Sequence, residues 1–187
     1  MEFDYKIQNN EVTITKYRGT SKNVIIPNKI ENISVTTIGN HAFYFNKLTS
    51  IVLPETLITI GKFAFMQNKL INIVLPETLT TIGDCAFSRN RLTSIVLPET
   101  LTNIGEYAFH NNTLTSIVLP ETLTTIGQAI FHCNKLTSIV LPDNFQTEEQ
   151  VQSIFKFSLE ELENKNRKFV TPYYVQITIR VYTISFP

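Results

Sequence analysis

A repeat of 22 residues is the feature of this sequence that most constrains its fold. One unit, residues 92–113, reads LTSIVLPETLTNIGEYAFHNNT, and near copies begin at positions 48, 70, 114 and 136. Self-similarity at a fixed interval of this length predicts a solenoid, in which each unit is one coil stacked on the next. A proline and a glycine hold register through the copies: Pro54, Pro76, Pro98, Pro120 and Pro142, and Gly39, Gly61, Gly83, Gly105 and Gly127.

An earlier and looser copy of the unit precedes these. The interval from Pro27 to Gly39 is 12 residues, against seven from Pro54 to Gly61. The five additional residues, 28–32, are predicted to form a bulging loop. The sequence therefore predicts a curved array of about five coils with an insertion near its start.

Seven positions of the unit stay apolar from copy to copy and predict a shared interior: Leu48, Ile51, Leu53, Leu57, Ile60, Ala64 and Phe65 in the copy that begins at 48. The run Leu-Thr-Ser-Ile-Val-Leu is rich in β-formers and is ended by proline, which cannot donate to a ladder. We therefore expect one short parallel strand per coil in this run. The following Ile-Gly suits a tight turn with positive φ at the glycine, after which the Ala-Phe pair begins a short helical or irregular return.

Both ends of such an array need covering, because an open coil exposes its apolar cross-section. Near the N-terminus, apolar residues alternate with polar ones on either side of Asn9-Asn10. This pattern predicts a β-hairpin built on Phe3, Tyr5, Ile7, Val12 and Ile14.

At the other end, Thr147 and Gln150 form a capping-box signature at the start of a predicted helix. Its apolar stripe consists of Val151, Ile154, Phe155, Leu159 and Leu162. The chain thus divides into an N-terminal β-hairpin cap at 1–23, a solenoid at 24–145, and a C-terminal helix and strand cap at 146–187.

The final segment, 172–186, alternates between apolar and polar residues and is predicted as one long strand. It carries one charge, Arg180, so that left unpaired it would be prone to aggregate. Three partners are open to it: the N-terminal hairpin, the edge of the last coil, or the same strand of a second molecule. We favour the last, a homodimer, because the preceding helix already covers the last coil.

The recurrent pattern LTSIVLPETLTTIG, followed by Ala-Phe and an asparagine, resembles the BspA-like leucine-rich repeat, a family of bacterial surface proteins with some members in protists. The resemblance covers residues 24–145. It implies an α/β repeat solenoid, mainly β, wound as a right-handed leucine-rich-repeat coil. It also implies a role in adhesion or protein binding at the cell surface or after secretion, since members attach to host matrix proteins or other cells.

Composition excludes several other classes of function. Lysine plus arginine equal aspartate plus glutamate at 16 each, so no net charge favours nucleic acid. No apolar run approaches the roughly 20 residues of a membrane span, so membrane insertion is not expected. The start, MEFDYKIQNN, lacks the basic segment followed by an apolar one that marks a secretory signal peptide. A cytoplasmic location, or export by another route, is therefore an alternative to a location at the cell surface.

No catalytic or cofactor chemistry is predicted. The serines occupy repeat positions without a histidine or carboxylate partner, and no phosphate-binding glycine loop occurs, so we expect no enzyme and no cofactor. His110 and His132 share one column, with Cys133 after the second, and their imidazoles are expected about 5 Å apart. Because no third and fourth ligands recur nearby, a metal is not predicted there.

Outward-facing residues of the predicted strands form the candidate site. Serine or asparagine and valine alternate with buried residues along each strand. A contiguous apolar row bordered by charge is typical of a protein-binding surface. The predicted partner-binding residues are Ser50, Val52, Asn72, Val74, Ser94, Val96, Ser116, Val118, Ser138 and Val140.

Two charged rims border these residues. The acidic rim follows the strands and the basic rim precedes them. Duplication of the repeat without selection for binding would explain both rims, and so would a binding groove. The acidic rim consists of Glu55, Glu77, Glu99, Glu121 and Asp143, and the basic rim of Lys47, Lys69, Arg91 and Lys135.

Two alternatives to attachment at a surface stay open. Thr-Leu-Thr triplets at 78–80, 100–102 and 122–124 would stack in two ranks, an arrangement similar to that of ice-binding β-solenoids. Threonine is also simply suited to a solvated strand edge. The other alternative is an intracellular effector or scaffold protein.

Overall fold

The computed structural model describes residues 2–142, 153–154, 176–179 and 182–184. Within these ranges the chain is a β-solenoid of about six turns, and no helix there is long and apolar enough to span a membrane. Its strands are β1 Phe3–Gln8, β2 Glu11–Tyr17, β3 Asn23–Ile25, β4 Lys29–Ile30, β5 Ile33–Ile38, β6 Ser50–Val52, β7 Thr59–Ile60, β8 Thr81–Ile82, β9 Asn103–Ile104, β10 Ser116–Val118, β11 Thr125–Ile126, β12 Ser138–Leu141, β13 Gln176–Ile179 and β14 Tyr182–Ile184.

A parallel ladder of two-residue strands runs along the solenoid. β5 pairs with β7, β7 with β8, β8 with β9, and β9 with β11, each at the same repeat position. The prediction of a strand in every Leu-Thr-Ser-Ile-Val-Leu run is wrong for two middle coils, because residues 72–74 and 94–96 are not strands. That run does form strands in β6, β10 and β12.

The repeated glycines are required by close approach between coils. A Cβ on Gly83 would lie 2.7 Å from the backbone nitrogen of Lys62 and 2.8 Å from the carbonyl carbon of Gly61 in the preceding coil. The prediction of positive φ at these glycines is wrong, since no described glycine has it. Left-handed backbone instead occurs two residues later, at His41, Phe63, Cys85, Tyr107 and Ala129.

The predicted interior is confirmed, and its centre is a column of stacked phenylalanine rings. Phe65 and Phe87 stack with ring centroids 5.3 Å apart, and Phe87 and Phe109 with centroids 5.5 Å apart. The column continues to Phe43 on one side and Phe131 on the other. The Ala-Phe pairs lie in turns and not in a helix. Backbone hydrogen bonds join Phe43, Phe65, Phe87 and Phe109 to the next coil, as from Phe87 N to Ala108 O at 2.8 Å.

A ladder of asparagines lies beside the phenylalanine column. Asn90 accepts a hydrogen bond at Oδ1 from Leu70 N (3.1 Å) and donates from Nδ2 to Phe65 O (2.9 Å) and Phe87 O (3.1 Å). Each asparagine thereby satisfies backbone groups of two coils. The same three bonds recur at Asn68, Asn112 and Asn134.

The N-terminal hairpin is present and continues the main ladder. β1 pairs antiparallel with β2 across Asn9 (φ 51°) and Asn10 (φ 60°), and β2 pairs parallel with β5. Tyr17 stacks on Phe43 with centroids 5.4 Å apart, and Phe3 meets the same ring edge-on. The hairpin thus covers the first ring of the phenylalanine column.

The insertion in the first, looser copy is a small hairpin and not the bulging loop predicted. β4 pairs antiparallel with the start of β5, and the chain turns at Glu31 (φ 52°) and Asn32 (φ 63°). Two successive residues with positive φ make the tight turn whose twist suits adjacent strands. Ile30 is buried, which anchors the hairpin to the solenoid.

The C-terminal segment is not one long strand. β13 and β14 pair antiparallel with each other, because the chain reverses between Ile179 and Tyr182, a reversal that continuous alternation does not reveal. β13 also pairs parallel with β12, which is the last-coil pairing among the three alternatives. Because β13 is paired on both sides, the homodimer favoured from sequence is no longer expected, although no described contact tests it.

The predicted C-terminal helix falls largely outside the described residues. Ser153 and Ile154 are helical, and Ile154 is fully buried. The backbone oxygen of Ser153 accepts a hydrogen bond from Ala129 N at 2.8 Å. The described part of this segment therefore packs on the last coil, whereas Thr147, Gln150, Val151, Phe155, Leu159 and Leu162 lie outside it.

Candidate functional site

The predicted outward valines form an exposed row along one face of the solenoid. Val52, Val74, Val96 and Val118 are 53%, 84%, 81% and 56% exposed, whereas Val140 is half-buried. Between one valine and the next, the chain completes one 22-residue coil, so the valines recur at the same position of successive coils, and Val118 and Val140 are register partners in adjacent parallel strands. We call this surface the strand face.

The polar partners of the valines lie on the same face. Ser50, Asn72, Ser94 and Ser116 are exposed, and Ser138 lies in β12. The isoleucine between each polar residue and its valine points inward: Ile51, Ile73, Ile95, Ile117 and Ile139 are all buried. Even where no strand is formed, the run keeps the alternation that places valine outward.

The structure adds Ile25, which the sequence reasoning missed. In β3, Ile25 is the register partner of Val52 in β6, and its side chain is 74% exposed. Aligning the first copy on its glycine hides this match because of the inserted hairpin. Aligning it on Pro27 instead places Val24-Ile25-Ile26 against Ile51-Val52-Leu53 and finds it.

Charged rims border the strand face as predicted, at the described positions. The members of both rims are exposed, except that Asp143 lies outside the described residues. Within the described part of the chain, Lys47, Lys69 and Arg91 form no ion pair; the ion pairs there are Arg18 with Asp4 and Lys62 with Asp84. The basic rim is therefore free to meet an external anion.

A groove of about 420 Å³ lies along the basic rim. Its charged lining is cationic and comprises Lys47, Lys69, Arg89 and Arg91, without a carboxylate. Arg89 is an addition to the predicted rim, because it stands two residues earlier in its repeat unit than Arg91. Phe45, which is 59% exposed, lines the same groove and gives it an apolar surface.

The stacked threonines have a structural role in the described coils. Thr100 donates from Oγ1 to the backbone oxygens of Glu77 (2.7 Å) and Leu79 (2.9 Å), and Thr102 donates to Thr80 O (3.1 Å). Equivalent bonds join the other coils. The threonine hydroxyl groups thus donate their hydrogen bonds to the backbone of the preceding coil. This structural role does not favour the ice-binding alternative.

The predicted histidine column is present on a different side of each coil. The rings of His110 and His132 stack with centroids 5.3 Å apart and an angle of 5° between their planes. Burial, the neighbouring His132 and the neighbouring Arg89 lower the pKa of His110 below its ordinary value. Burial, with Asp84 and Glu106 nearby, raises the pKa of the Cys85 thiol, which does not favour a reactive thiolate there.

Comparison with known families identifies the repeat. The family model of the BspA type leucine rich repeat region matches in six copies, over residues 11–73 and 36–158. The chain belongs to this family. None of the curated proteins compared with it matches its sequence.

Solved structures of bacterial leucine-rich repeat proteins are similar to this chain. The leucine-rich repeat protein of T. pallidum is 29% identical with a TM-score of 0.69, and the alignment covers 78% of this chain and 71% of that one. A leucine-rich repeat protein of Bacteroides ovatus is 31% identical with a TM-score of 0.66 over 77% of this chain. The chain spans 47% of the length of that protein.

A third structure, the pneumococcal vaccine antigen PcpA, shares the fold. It is 22% identical with a TM-score of 0.57, and the alignment covers 74% of this chain and 48% of that one. Repeat scaffolds of this family are generally interaction or surface proteins and are typically non-catalytic.

Proposed function

We propose that this chain is a non-catalytic scaffold that attaches to a protein partner through its strand face. The observation that carries the proposal is the row of exposed branched side chains from Ile25 to Val118. Its members are 74%, 53%, 84%, 81% and 56% exposed on successive coils. Scattered apolar residues are normal on a protein surface, whereas a contiguous row of them is typical of an interaction site.

The surroundings of the row suit a protein partner. Polar residues such as Ser94 and Asn72 flank the valines, and a polar border around an apolar centre is the usual composition of a protein interface. The coils are joined by hydrogen bonds of backbone, asparagine and threonine, so the face is held rigid before binding and little ordering free energy is lost on association.

The basic groove beside the row specifies part of the partner. Lys69, Arg89 and Arg91 line it together with Lys47, and no described carboxylate neutralises it. An acidic side chain or segment of the partner would meet complementary charge there, which raises the association rate and selects against basic partners. The binding surface in this proposal is therefore an apolar row with an anion-binding border.

Family membership supports adhesion at the cell surface, or attachment after secretion, as the biological setting. In this setting the coils present one continuous surface to a protein of a host matrix or of a neighbouring cell. An intracellular scaffold would use the same face. The two settings differ in the partner and not in the physical basis of binding.

The test measures binding of the chain to a panel of purified extracellular matrix proteins by biolayer interferometry. We expect at least one to bind, and replacement of Val74, Val96 and Val118 together by lysine to weaken that binding by at least about 100-fold, because it charges the centre of the row. These side chains are exposed, so circular dichroism should show an unchanged fold.

A matched control adds the same three charges elsewhere. Ile7, Tyr44 and Gln128 are exposed and lie outside the strand face, so their replacement by lysine should leave binding unchanged. Retained binding by a folded Val74, Val96 and Val118 variant would contradict the assignment of the face.

A further inference from the structure

Two histidines and a cysteine come together on the last coils, away from the strand face. One imidazole nitrogen of His110, one of His132 and the Sγ of Cys133 all lie within 4.8 Å of one another. The Sγ of Cys133 is 3.3 Å from Nδ1 of His132. The sequence places Cys133 directly after His132, but no metal is predicted from the sequence because no third and fourth ligands recur nearby. In the structure Cys133 lies close enough to both histidines to be the third ligand.

The column positions explain why the cluster occurs once in the described array. His110 and His132 follow Tyr44, Met66 and Ser88 in their column, and none of those three residues offers imidazole or thiolate. Cys133 follows Asn111 in the neighbouring column, at a position with positive φ (57°) that turns its side chain toward solvent. The cluster is thus a local departure from the repeat.

The hydrogen bond to Ser88 orients the first histidine. Ser88 Oγ lies 3.2 Å from Nδ1 of His110, and Ser88 is buried, so its hydroxyl is fixed in place. With Nδ1 engaged, Nε2 of His110 is the nitrogen left for a metal ion. A ligating histidine whose other nitrogen donates to a fixed acceptor is the usual arrangement in metal sites.

We propose that His110, His132 and Cys133 form a binding site for Zn²⁺ that connects two neighbouring coils. Imidazole and thiolate are the ligands that Zn²⁺ prefers, and three of them leave a fourth tetrahedral position for water. Zinc bonds of about 2.0–2.3 Å require ligand atoms about 3.3–3.6 Å apart, so the most widely separated pair must close by about 1 Å. The two rings also turn from their parallel stack, so that each directs its lone pair at the ion.

Such a site would hold two neighbouring coils together near the end of the solenoid. Cys133 and His132 belong to one coil and His110 to the preceding one, so the ion resists their separation. A ligand that binds only the folded state stabilises it by an amount that rises with the logarithm of the ligand concentration once this exceeds the dissociation constant. None of the three ligands belongs to the strand face, although Cys133 follows Arg89 and Asn111 of the basic groove in their column. Metal binding is measured without a partner, so its result does not depend on partner binding.

The experiment titrates the reduced, metal-free chain with Co²⁺, which replaces Zn²⁺ and reports thiolate ligation by a charge-transfer band in the near ultraviolet. We expect that band to saturate at one Co²⁺ per chain and to disappear on addition of Zn²⁺. Cys133→Ser should abolish the band, and His110→Ala should weaken Co²⁺ binding by at least about 100-fold. Zn²⁺ should raise the melting temperature of the wild type but not of Cys133→Ser.

The other cysteine provides a matched control. Cys85 lies two coils away from Cys133, and in the two coils adjacent to it the same column position holds Phe63 and Tyr107, which offer no imidazole, so Cys85→Ser should keep both the band and the stabilisation by Zn²⁺. Cys133 is exposed, so its serine variant should fold, which circular dichroism checks. Absence of the band in the wild type, its retention in Cys133→Ser, or its loss in Cys85→Ser would overturn the proposal.

Discussion

Phe87 and Phe109 stack face to face across neighbouring coils, with ring centroids 5.5 Å apart and an angle of 4° between the planes. Phe87 makes an equivalent contact with Phe65 on its other side, so one ring contributes to two interfaces between coils. Because the stability of a solenoid depends on these interfaces, the column is where a single truncation has the largest effect.

The first prediction follows from this column. Phe87→Ala should lower the free energy of unfolding by about 3–5 kcal/mol, because it leaves a cavity between two coils that the flanking rings cannot fill. Urea unfolding followed by circular dichroism measures this change. Phe45→Ala is the control: Phe45 is 59% exposed, so its truncation should change stability by less than about 0.5 kcal/mol. Equal effects of the two would contradict the inward position of Phe87.

The second prediction concerns the glycine of the repeat. Gly83→Ala places a Cβ within 2.8 Å of the backbone of two residues in the preceding coil, and backbone cannot move aside as a flexible side chain would. We expect a loss of about 1–3 kcal/mol, as for overpacking of a core. A thermal melt compares it with Ser94→Ala, an exposed substitution in the next coil. A stable Gly83→Ala would show that the coils separate at little cost.

The third prediction concerns the asparagine ladder. Asn90→Ala removes the bond that Oδ1 accepts from Leu70 N and the three that Nδ2 donates, to the backbone oxygens of Phe65, Phe87 and Ser88. Buried backbone groups therefore lose a partner. We expect a loss of about 2–4 kcal/mol in the free energy of unfolding. Asn72→Ala on the exposed strand face is the control and should be near neutral. Similar values for both variants would show that water replaces the ladder.

What the sequence could predict is what a single repeat unit contains. Every neighbouring copy has phenylalanine at the position of Phe87 and asparagine at the position of Asn90. Their burial therefore follows from the repeat columns alone. The valines follow in the same way, because alternation around the buried Ile95 places Val96 outward. These properties depend on which way a side chain points from its own coil.

What could not be predicted depends on the distance between coils. The repeat shows that a glycine recurs at position 83, but its cause is the backbone of residues 61 and 62 in the coil before. The same close approach lets Thr81-Ile82 pair with Thr59-Ile60, so the ladder lies beside the glycines where the sequence predicts a turn.

Departures from the repeat could not be predicted from the sequence for a different reason. Ile25 is displaced from its column by an insertion, and Arg89 is a single departure that a consensus does not show. The C-terminal alternation has a period of two on both strands of a hairpin, so it continues through the reversal between β13 and β14 and reads as one strand.

The last prediction concerns this hairpin. β13 pairs with β12 at Ile139↔Ile177 on one side and with β14 on the other, so neither of its edges is left to a second molecule in the described part of the chain. We therefore expect the intact chain to be monomeric in light scattering, contrary to the homodimer favoured from sequence. Deleting 170–187 should uncover the edge of β12, lower the melting temperature and promote association, since an unpaired apolar edge recruits other strands. Deleting only 185–187 leaves both strands in place and serves as the control. An intact dimer that becomes a folded, stable monomer on the longer deletion would instead support self-pairing, through the outer edge of β14.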